Sequence, residues 1–372
     1  MIKTDCVNFP LDRPCKAHKS TGIKCSSCRK YRPFNKDGKG KILVIKLGAM
    51  GDVLRTTFIL EGLKNRYPKC RITWIVAKGS ESVLEGNPYI DRIWPFDLGI
   101  FKLLVSEKFD TVINLDLSPE SLSLAGLAFT NMKIGYWIDE SRRILCSNNA
   151  AKIWLEMSGN DRKKKENKHT YQYWMSKIIG LKRSDYEIFV PLRTNSVRKA
   201  KVFLKKHGLR NGIVVGINPG AGKRWRLKKW TDRGFIEIIN RLSKNKIKVL
   251  LFGGPEEKNL IKKLVRKTGN RAISTGTDNS IPDFFALLDL CDIVICGDTL
   301  ALHAALGLKK KVIAIFGPTS APEIEMYDRG RKVVSPASCV CCYDPLCKKH
   351  PTCMDRISAE IVWNSFQTLL KE

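Results

Sequence analysis

The sequence predicts an α/β protein with two Rossmann-like domains that face each other across a cleft. Apolar runs typical of buried parallel strands alternate with stretches of helical period, and the alternation restarts after Pro191. Several of these runs end in a glycine-containing turn. Such turns are typical of strands that form a ligand site beyond their carboxyl ends.

Composition suggests the domain boundaries. Residues 1–40 are polar, rich in Pro, Lys and Cys, and lack apolar periodicity, so they are expected to form a Cys-rich N-terminal appendage. The first Rossmann-like domain is expected over 41–190. The second is expected over 191–357 with a Cys-rich loop at 339–353, and a C-terminal helix over 358–372 follows.

The same patterns predict individual elements of the first half. Strands are predicted at 41–47, 71–77, 109–116 and 133–137. Helices are predicted near 52–66, 118–131 and 170–181. The intervening stretch 138–170 is charged and irregular.

In the second half the alternation is more regular. Strands are predicted at 212–218, 247–252, 292–297 and 311–317. Helices are predicted at 231–243, 256–268, 281–290, 299–307 and 358–370.

The most informative stretch is 41–57, KILVIKLGAMGDVLRTT, in which a buried strand ends at a glycine turn and a helix begins. Gly48 and Gly51 let the backbone approach a ligand closely, and the helix start offers free N–H groups to an anion. Asp52 is either a helix cap or a general base. A carboxylate at a helix start should have a lowered pKa.

Two turns of the second half, NPGAGKRW and FGGPEE, combine small residues with charged ones. Their candidate binding residues are Gly220, Lys223, Arg224, Gly253, Gly254 and Glu256. The cations suit a phosphate, and Glu256 or its neighbour Glu257 suits a ribose hydroxyl. Without a ligand, FGGPEE would be an ordinary strand–helix corner.

A third turn, GDTLALH, follows the strand predicted at 292–297. Asp298 or Thr299 is expected to cap the next helix. The N–H groups then free to bind a diphosphate opposite Lys223 are those of Thr299, Leu300 and Ala301. His303 either packs against the core or faces the ligand. The chain contains neither the GxGxxG dinucleotide fingerprint nor a Walker motif.

Together these motifs resemble the heptosyltransferase family, glycosyltransferase family 9. The similar segments are ILVIKLGAMGDVLRTT, NPGAGKRW and GDTLALHAALGLKKKVIAIFGPT, within a resemblance that covers about 41–370. The resemblance implies a GT-B fold that binds a glycan or glycolipid acceptor in its N-terminal domain and a nucleotide-sugar donor in its C-terminal domain. It also implies inverting, metal-independent transfer of heptose from ADP-heptose to lipopolysaccharide core or another lipid-linked glycan.

The resemblance assigns roles to particular residues. Asp52 matches the general base of the family, and Lys223 matches the lysine of its K-x-W motif, which stabilises donor phosphate. Asp298, Thr299 and His303 match D-[ST]-x-x-x-H, whose aspartate contacts the donor sugar. Arg226 stands where family members commonly have proline, which leaves a different nucleotide-sugar open as the donor.

Most of the 13 cysteines lie in two clusters with metal-ligand spacing. The candidate ligands are Cys6, Cys15, His18, Cys25 and Cys28 near the start, and Cys339, Cys342, Cys347 and Cys353 near the end. A structural zinc ion is expected. An iron–sulfur cluster, one site shared by both clusters, and unligated thiols are the alternatives.

Charge and hydropathy bear on partners. With 66 Lys and Arg against 36 acidic residues, the formal charge of +30 attracts polyanions. The start of the chain lacks the apolar segment of a secretory signal, so we expect a cytoplasmic protein in peripheral contact with the anionic inner membrane surface.

The charge also motivates a rival hypothesis, a zinc-dependent nucleic-acid-binding protein. That hypothesis predicts exposed aromatic side chains interleaved with cations on one face. Trp225 and Trp230 could mimic this together with the nearby cations Lys223, Arg224, Arg226, Lys228 and Lys229, but they lie in the turn expected to bind the nucleotide. The glycosyltransferase interpretation expects no nucleic acid. An inactive scaffold is disfavoured because Asp52 and the other motif residues are intact.

Overall fold

Two sheets of six strands organise the chain. The computed structural model describes residues 2–3, 6, 8–10, 13–31, 40–222 and 225–372. The strands of the first sheet are β1 (Lys41–Lys46), β2 (Arg71–Ala77), β3 (Arg92–Phe96), β4 (Phe109–Asn114), β5 (Thr130–Ile138) and β6 (Ile144–Cys146). Those of the second are β7 (Val214–Asn218), β8 (Lys248–Leu251), β9 (Ala272–Ser274), β10 (Ile293–Gly297), β11 (Lys311–Phe316) and β12 (Gly330–Val334).

Helices connect and cover these strands. In the N-terminal half they are α1 (Lys16–Thr21), α2 (Met50–Thr56), α3 (Ile59–Arg66), α4 (Ile100–Ser106), α5 (Pro119–Leu127), α6 (Asn149–Ser158), α7 (Asp161–Glu166) and α8 (Tyr171–Ile179). In the C-terminal half they are α9 (Thr194–Lys206), α10 (Asp232–Lys244), α11 (Lys258–Lys267), α12 (Ile281–Leu288), α13 (Leu300–Gly307) and α14 (Ala359–Lys371).

Both sheets have the same strand order, which confirms the predicted pair of Rossmann-like folds. The orders are β3-β2-β1-β4-β5-β6 and β12-β11-β10-β7-β8-β9, and only β6 pairs antiparallel to its neighbour. The strand order reverses between β1 and β4 and again between β7 and β10. In folds of this kind the ligand binds beyond the carboxyl ends of the strands at the point of reversal.

The core explains why the central strands form where they do. Apolar residues fill β1, and five of its six residues are buried, as expected for a parallel strand covered on both faces. One continuous buried cluster includes residues of both halves, from Ile42 to Met326. At the junction of the halves Gly307 packs against Ile188 and Val190, since a Cβ at this position would lie 2.6 Å from the Val190 side chain.

The strands missed by the sequence prediction all lie at or beside a sheet edge. These are β3, β6, β9 and β12, and none of them has more than one buried residue. An edge strand pairs with a neighbour on one side only, and these four are little buried, so their apolar pattern is weak. In β3, Pro95 further weakens the strand signal, because proline is rare inside strands.

Two further predictions for the first half are wrong, one of an irregular stretch and one of a helix. The stretch 138–170 is not irregular, because it contains β6, α6 and α7, and Asn148 and Asn160 cap the two helices with their side chains. The single helix expected over 52–66 is divided into α2 and α3. Thr57 lies between them, and its hydroxyl accepts a hydrogen bond from the N–H of Phe189.

The ends of the chain differ in how they join this framework. Helix α14 packs on the second sheet through Val362 and Phe366, which belong to the buried cluster of that half. In the N-terminal Cys-rich segment, α1 has no buried residue. Within the described ranges, no helix is long and apolar enough to cross a membrane.

Candidate active site

The carboxyl ends of the two sheets open onto one cavity of about 1160 Å³. Predicted site residues from both halves line it: Gly48, Gly51, Asp52, Gly220, Gly253, Gly254, Glu256, Asp298, Thr299, Leu300, Ala301 and His303. Two further predicted residues, Lys223 and Arg224, lie outside the described residues. The structure therefore brings together turns that are separated by as much as two thirds of the chain.

Topology explains this convergence. The turns that carry Asp52, Asp116, Gly220 and Asp298 follow β1, β4, β7 and β10, the four strands at which the sheet orders reverse. Parallel strands end at the same edge of a sheet, so each pair of turns lies side by side. Of these four residues, sequence analysis missed Asp116.

Asp52 is paired with a cation of its own helix. Arg55, one turn further along α2, places Nη2 2.9 Å from Oδ1 of Asp52. Burial alone would raise the pKa of Asp52, but the positive charges of Arg55 and Lys46 outweigh it, so the pKa is lowered. Sequence analysis also predicted a lowered pKa for Asp52, but from its place at a helix start. In the structure the charges of Arg55 and Lys46 lower it. The Asp52 side chain is 38% exposed, so its carboxylate is accessible from the cavity.

Behind Asp52, the turn is braced by a buried ion pair. Lys46 Nζ lies 3.3 Å from Asp116 Oδ1, and the N–H of Leu47 donates to Asp116 Oδ2 at 2.8 Å. Asn114 in turn donates to the carbonyl of Asp116 and accepts from its N–H. This chain of contacts ties the glycine turn after β1 to the end of β4.

His303 forms the contact between the two halves beneath the cavity. Its ring faces Gly51, where a Cβ would lie 3.2 Å from His303 Cδ2 and 3.5 Å from the Leu300 backbone. Gly51 is thus required for the close approach of α2 and α13. Burial, reinforced by the Arg55 charge, lowers the pKa of His303 to about 4, so the imidazole is neutral at pH 7.

Asp298 is also paired, with a lysine that sequence analysis did not assign to the site. Lys228 Nζ lies 3.1 Å from Asp298 Oδ2 and 3.3 Å from its carbonyl oxygen. Burial would raise the pKa of Asp298, but the charge of Lys228 outweighs it and lowers the pKa. His303 Nε2 is 3.9 Å from Asp298 Oδ1, too far for a hydrogen bond.

The predicted helix cap at this turn is wrong in detail. Thr299 occupies the N-cap position of α13 but makes no side-chain capping bond, and its hydroxyl lies 3.4 Å from the Gly297 carbonyl instead. No N-cap side chain therefore bonds to the first N–H groups of the helix, and Thr299, Leu300 and Ala301 line the cavity. This is the geometry in which a helix end can accept an anion.

The FGGPEE turn distinguishes its two acidic residues. Glu257 turns back and accepts a hydrogen bond from the N–H of Gly254 at 2.9 Å, and its side chain fills the space beside Gly220 and Gly253. Glu256 is exposed and lines the cavity. Both acids line the cavity, but only the carboxylate of Glu257 is bonded to the Gly254 N–H.

The cysteine clusters are not assembled into metal sites. Within the described part of the chain, no three His, Cys, Asp or Glu side chains are arranged to hold a metal ion. In the first cluster (Cys6, Cys15, His18, Cys25 and Cys28), Nδ1 of His18 lies 3.0 Å from the carbonyl of Ile23. In the second, burial and then the charges of Cys342, Cys339 and Cys347 raise the pKa of Cys353, so these thiols lie near one another.

The exposed aromatic and basic face expected for nucleic-acid binding is not found between residues 225 and 230. Trp230 is 2% exposed, and its indole N–H donates to the carbonyl of Ile357 at 2.8 Å. Lys228 pairs with Asp298, and Lys229 with Asp232. This segment therefore serves the fold and the cavity.

Comparison with known proteins agrees with this geometry. The model of glycosyltransferase family 9 (heptosyltransferase) matches residues 98–351, more than half of the chain. The chain belongs to glycosyltransferase family 9. It is 20% identical over 314 residues to the lipopolysaccharide core heptosyltransferase OpsX of Haemophilus influenzae, covering 82% of this chain and 86% of the relative.

Solved structures of the family share the fold of this glycosyltransferase. A family 9 glycosyltransferase from Veillonella parvula aligns with a TM-score of 0.71 and 20% identity, over 89% of this chain and 97% of the other. The ADP-heptose lipopolysaccharide heptosyltransferase II of E. coli aligns with a TM-score of 0.64 and 17% identity, over 89% and 98%. The GT-B architecture expected from the resemblance is thereby confirmed.

Several cavity residues of this glycosyltransferase could not be read from the motifs. They are Arg55, Asp116, Lys164, Lys228, Ser320, Glu323 and Tyr343. Arg55 lies three residues after Asp52 on one helix, and Asp116 directly follows a predicted strand, so spacing offered a signal for these two. The others reach the cavity from loops or short helices, where no periodicity marks them.

The neutral His303 predicts a pH dependence of stability. An unfolded histidine binds a proton below about pH 6.5, whereas folded His303 binds one only below about pH 4. Stability must therefore fall as the pH decreases from 6.5 to 4, by at most about 3 kcal/mol from this residue. Urea unfolding of wild type and His303→Gln at several pH values would show a smaller decrease for the variant.

The matched control is His169→Gln, since His169 is an exposed histidine outside the cavity lining. It should retain the pH slope of the wild type between pH 6.5 and 4. Equal slopes for wild type and His303→Gln would contradict the prediction.

Proposed function

We propose that this glycosyltransferase transfers a heptose from ADP-heptose to lipopolysaccharide core or another lipid-linked glycan, with inversion at the anomeric carbon. The observation that carries the proposal is the single cavity onto which the Asp52 turn of one half and the Asp298 turn of the other both open. The relatives named above, one acting on lipopolysaccharide core and one named for ADP-heptose, support the substrate class.

In the proposed reaction, Asp52 is the general base. The acceptor hydroxyl oxygen attacks the anomeric carbon, the bond from that carbon to the diphosphate oxygen breaks, and the hydroxyl proton passes to Asp52. Arg55 keeps Asp52 ionised at neutral pH and also makes it a weak base. A weak base suffices when the proton transfers late, after the anomeric carbon has become strongly electrophilic.

The leaving group of the reaction is ADP, whose diphosphate gains negative charge as the bond breaks. We assign its stabilisation to the N–H groups of Thr299, Leu300 and Ala301 at the start of α13, with Lys223 as the partnering cation. Lys228 holds Asp298 in place for contact with the donor sugar. These groups supply the charge stabilisation without a catalytic metal ion.

The remaining turns complete the proposed donor site. The glycines of the second half, Gly220, Gly253 and Gly254, leave room for the nucleotide along the cavity wall. Glu256 is proposed to bind the ribose, and Arg224 the phosphates. On the acceptor side, Gly48 leaves space beside the Asp52 side chain, and Gly51 lets α2 approach α13 so that Asp52 faces the cavity.

A structural zinc ion is proposed for the second cysteine cluster. Cys339, Cys342, Cys347 and Cys353 supply four sulfur donors, the set that zinc takes in tetrahedral structural sites. The effect of Cys342, Cys339 and Cys347 on the pKa of Cys353, which they raise together with burial, supports their proximity. The first cluster is proposed as a second structural site, with less support, since one nitrogen of His18 already faces a carbonyl.

We further propose that the protein is cytoplasmic and binds the inner membrane surface peripherally, where a lipid-linked acceptor lies. The formal charge of +30 supports this location because anionic headgroups attract basic proteins.

Replacement of the proposed base gives the most direct test. Asp52→Asn should lower kcat for heptose transfer by about 10²- to 10⁴-fold, because the proton loses its acceptor. Its affinity for ADP-heptose should be largely retained. Transfer to a heptose-deficient lipopolysaccharide acceptor and calorimetric donor titration measure the two quantities.

The control is Asp328→Asn, which removes one negative charge from an exposed residue outside the cavity lining and suits its positive φ of 55°. It should transfer heptose like the wild type. Full activity of Asp52→Asn would remove Asp52 from the mechanism, and a wild type that transfers no heptose would overturn the proposed function.

The zinc proposal predicts about one zinc ion per chain in the second cluster. Elemental analysis of purified protein should show loss of that ion in the double variant Cys342→Ser, Cys347→Ser. The variant Cys146→Ser, at a cysteine outside both clusters, should keep the metal content of the wild type. Iron in place of zinc, or the same metal content in the double variant as in the wild type, would contradict the proposal.

The membrane proposal predicts co-sedimentation with vesicles that contain anionic lipid, and its loss at high salt because surface charges are then screened. Neutral vesicles are the control. Equal binding to both kinds of vesicle would argue against an electrostatic contact.

A further inference from the structure

Tyr343 belongs to the Cys-rich loop, yet its side chain lines the active-site cavity. Two backbone hydrogen bonds attach the loop to the turn after β11. The N–H of Cys341 donates to the carbonyl of Gly317 at 3.0 Å, and the N–H of Tyr343 donates to the carbonyl of Pro318 at 2.9 Å. Because β11 ends at the cavity, this attachment carries Tyr343 to the same edge.

The Tyr343 side chain is held from several directions. The N–H of Ser320 donates to its hydroxyl oxygen at 3.2 Å. The ring of Trp225 meets the Tyr343 ring edge to face, with centroids 6.2 Å apart, and Lys164 Nζ lies 4.5 Å from the Tyr343 centroid. Lys164 belongs to α7, so both halves of the chain fix this tyrosine.

The backbone of the loop is strained beside Cys342. Cys341 has a φ of 60° and Tyr343 a φ of 51°, both in the left-handed region. Non-glycine residues stay in this region only where their surroundings hold them, and such residues concentrate at functional sites. The strain accompanies the contacts that direct Tyr343 to the cavity.

The polar groups around Tyr343 have unused hydrogen-bonding capacity. The Tyr343 hydroxyl lies 3.5 Å from Oε1 of Glu323, longer than an ordinary O–H···O hydrogen bond. Ser320 Oγ is buried beside the Cys341 thiol and makes no other hydrogen bond within the part of the chain that the structure describes. No cation among the described residues lies within ion-pair distance of Glu323, and burial raises the pKa of this carboxyl.

Glu323 is also close to the reacting groups. The negative charges of Asp298 and Asp52 both act on its carboxyl, and the positive charge of Arg55 opposes them. Its carbonyl accepts a hydrogen bond from the N–H of Tyr171 at 2.8 Å, which fixes the segment against α8. Glu323 thus lines the same cavity as the proposed base and the proposed donor turn.

We propose that Ser320, Glu323 and Tyr343 form the subsite that binds the hydroxyl groups of the donor's sugar, an inference that rests on the proposed function. These residues offer one carboxylate and two hydroxyls, which can hydrogen-bond to the hydroxyl groups of a sugar. The nearby cation, Lys164, is directed at the Tyr343 ring, so the cluster suits a sugar better than a phosphate. All three residues lie in the C-terminal half, with the nucleotide turns, which favours the donor over the acceptor sugar.

The test compares a nucleotide-sugar with the same nucleotide lacking its sugar. Calorimetric titration of wild type with ADP-heptose and with ADP should show tighter binding of ADP-heptose. Glu323→Gln and Tyr343→Phe should each weaken ADP-heptose binding by about 10- to 100-fold, the effect of losing a hydrogen bond to a charged or well-oriented group. Their affinity for ADP should not change.

Glu325→Gln is the matched control for Glu323, since Glu325 is two residues further along and outside the cavity lining. It should bind both ligands like the wild type. Lys165→Met serves the same purpose for Lys164→Met, because Lys165 is exposed on the same helix. Lys164→Met should weaken ADP-heptose binding less than Tyr343→Phe does, since Lys164 contacts the Tyr343 ring and acts on Glu323 only through its charge.

The outcomes separate this inference from the proposed function. Equal loss of ADP and ADP-heptose affinity in the variants, or loss of neither, would overturn the subsite. If the wild type instead prefers another nucleotide-sugar over its parent nucleotide, and the variants abolish that preference, the subsite stands and the ADP-heptose assignment fails. A wild type that binds every parent nucleotide as tightly as its nucleotide-sugar overturns the subsite.

Discussion

The close approach of α2 and α13 is the contact on which the arrangement of the site depends. Each helix begins at the point where the strand order of its sheet reverses, and the two starts meet through Gly51 and the ring of His303. A Cβ at Gly51 would lie 3.2 Å from that ring, closer than ordinary van der Waals contact, so the ring would have to shift. Because the helices touch there, Asp52 and Asp298 open onto one cavity although they belong to different sheets.

Electrostatic pairing then determines the charge state of the cavity. Two carboxylates are brought into a partly buried space, where each would be costly unless compensated. Arg55 compensates Asp52, and Lys228 compensates Asp298, so both acids remain ionised. His303 between them stays neutral because burial opposes its protonation. The cavity thus contains two ionised carboxylates, which can accept hydrogen bonds from hydroxyl groups, and the start of α13, whose N–H groups can bind an anion.

The Cys-rich loop links the stability of one segment to the shape of the cavity. Its backbone is bonded to the turn after β11, and Tyr343 extends from it to Glu323. A metal ion in the loop would order the segment that carries this tyrosine. A structural element outside the shared Rossmann-like core can in this way help to shape the sugar subsite.

The sequence by itself determined the two α/β halves, the central strands and the glycine turns, because these depend on local apolar patterns and on turn residues. It also identified Asp52 and Asp298 from their motifs. Only the tertiary structure decided which cations pair with them, which acid of FGGPEE is bonded to the Gly254 N–H, and that Tyr343 reaches the cavity. Lys228 and Tyr343 lie on a short turn and a loop, where spacing along the chain does not indicate spatial neighbours. Edge strands such as β3 escaped prediction for a related reason, since a weakly buried strand owes its structure to pairing with its neighbour and not to its own apolar pattern.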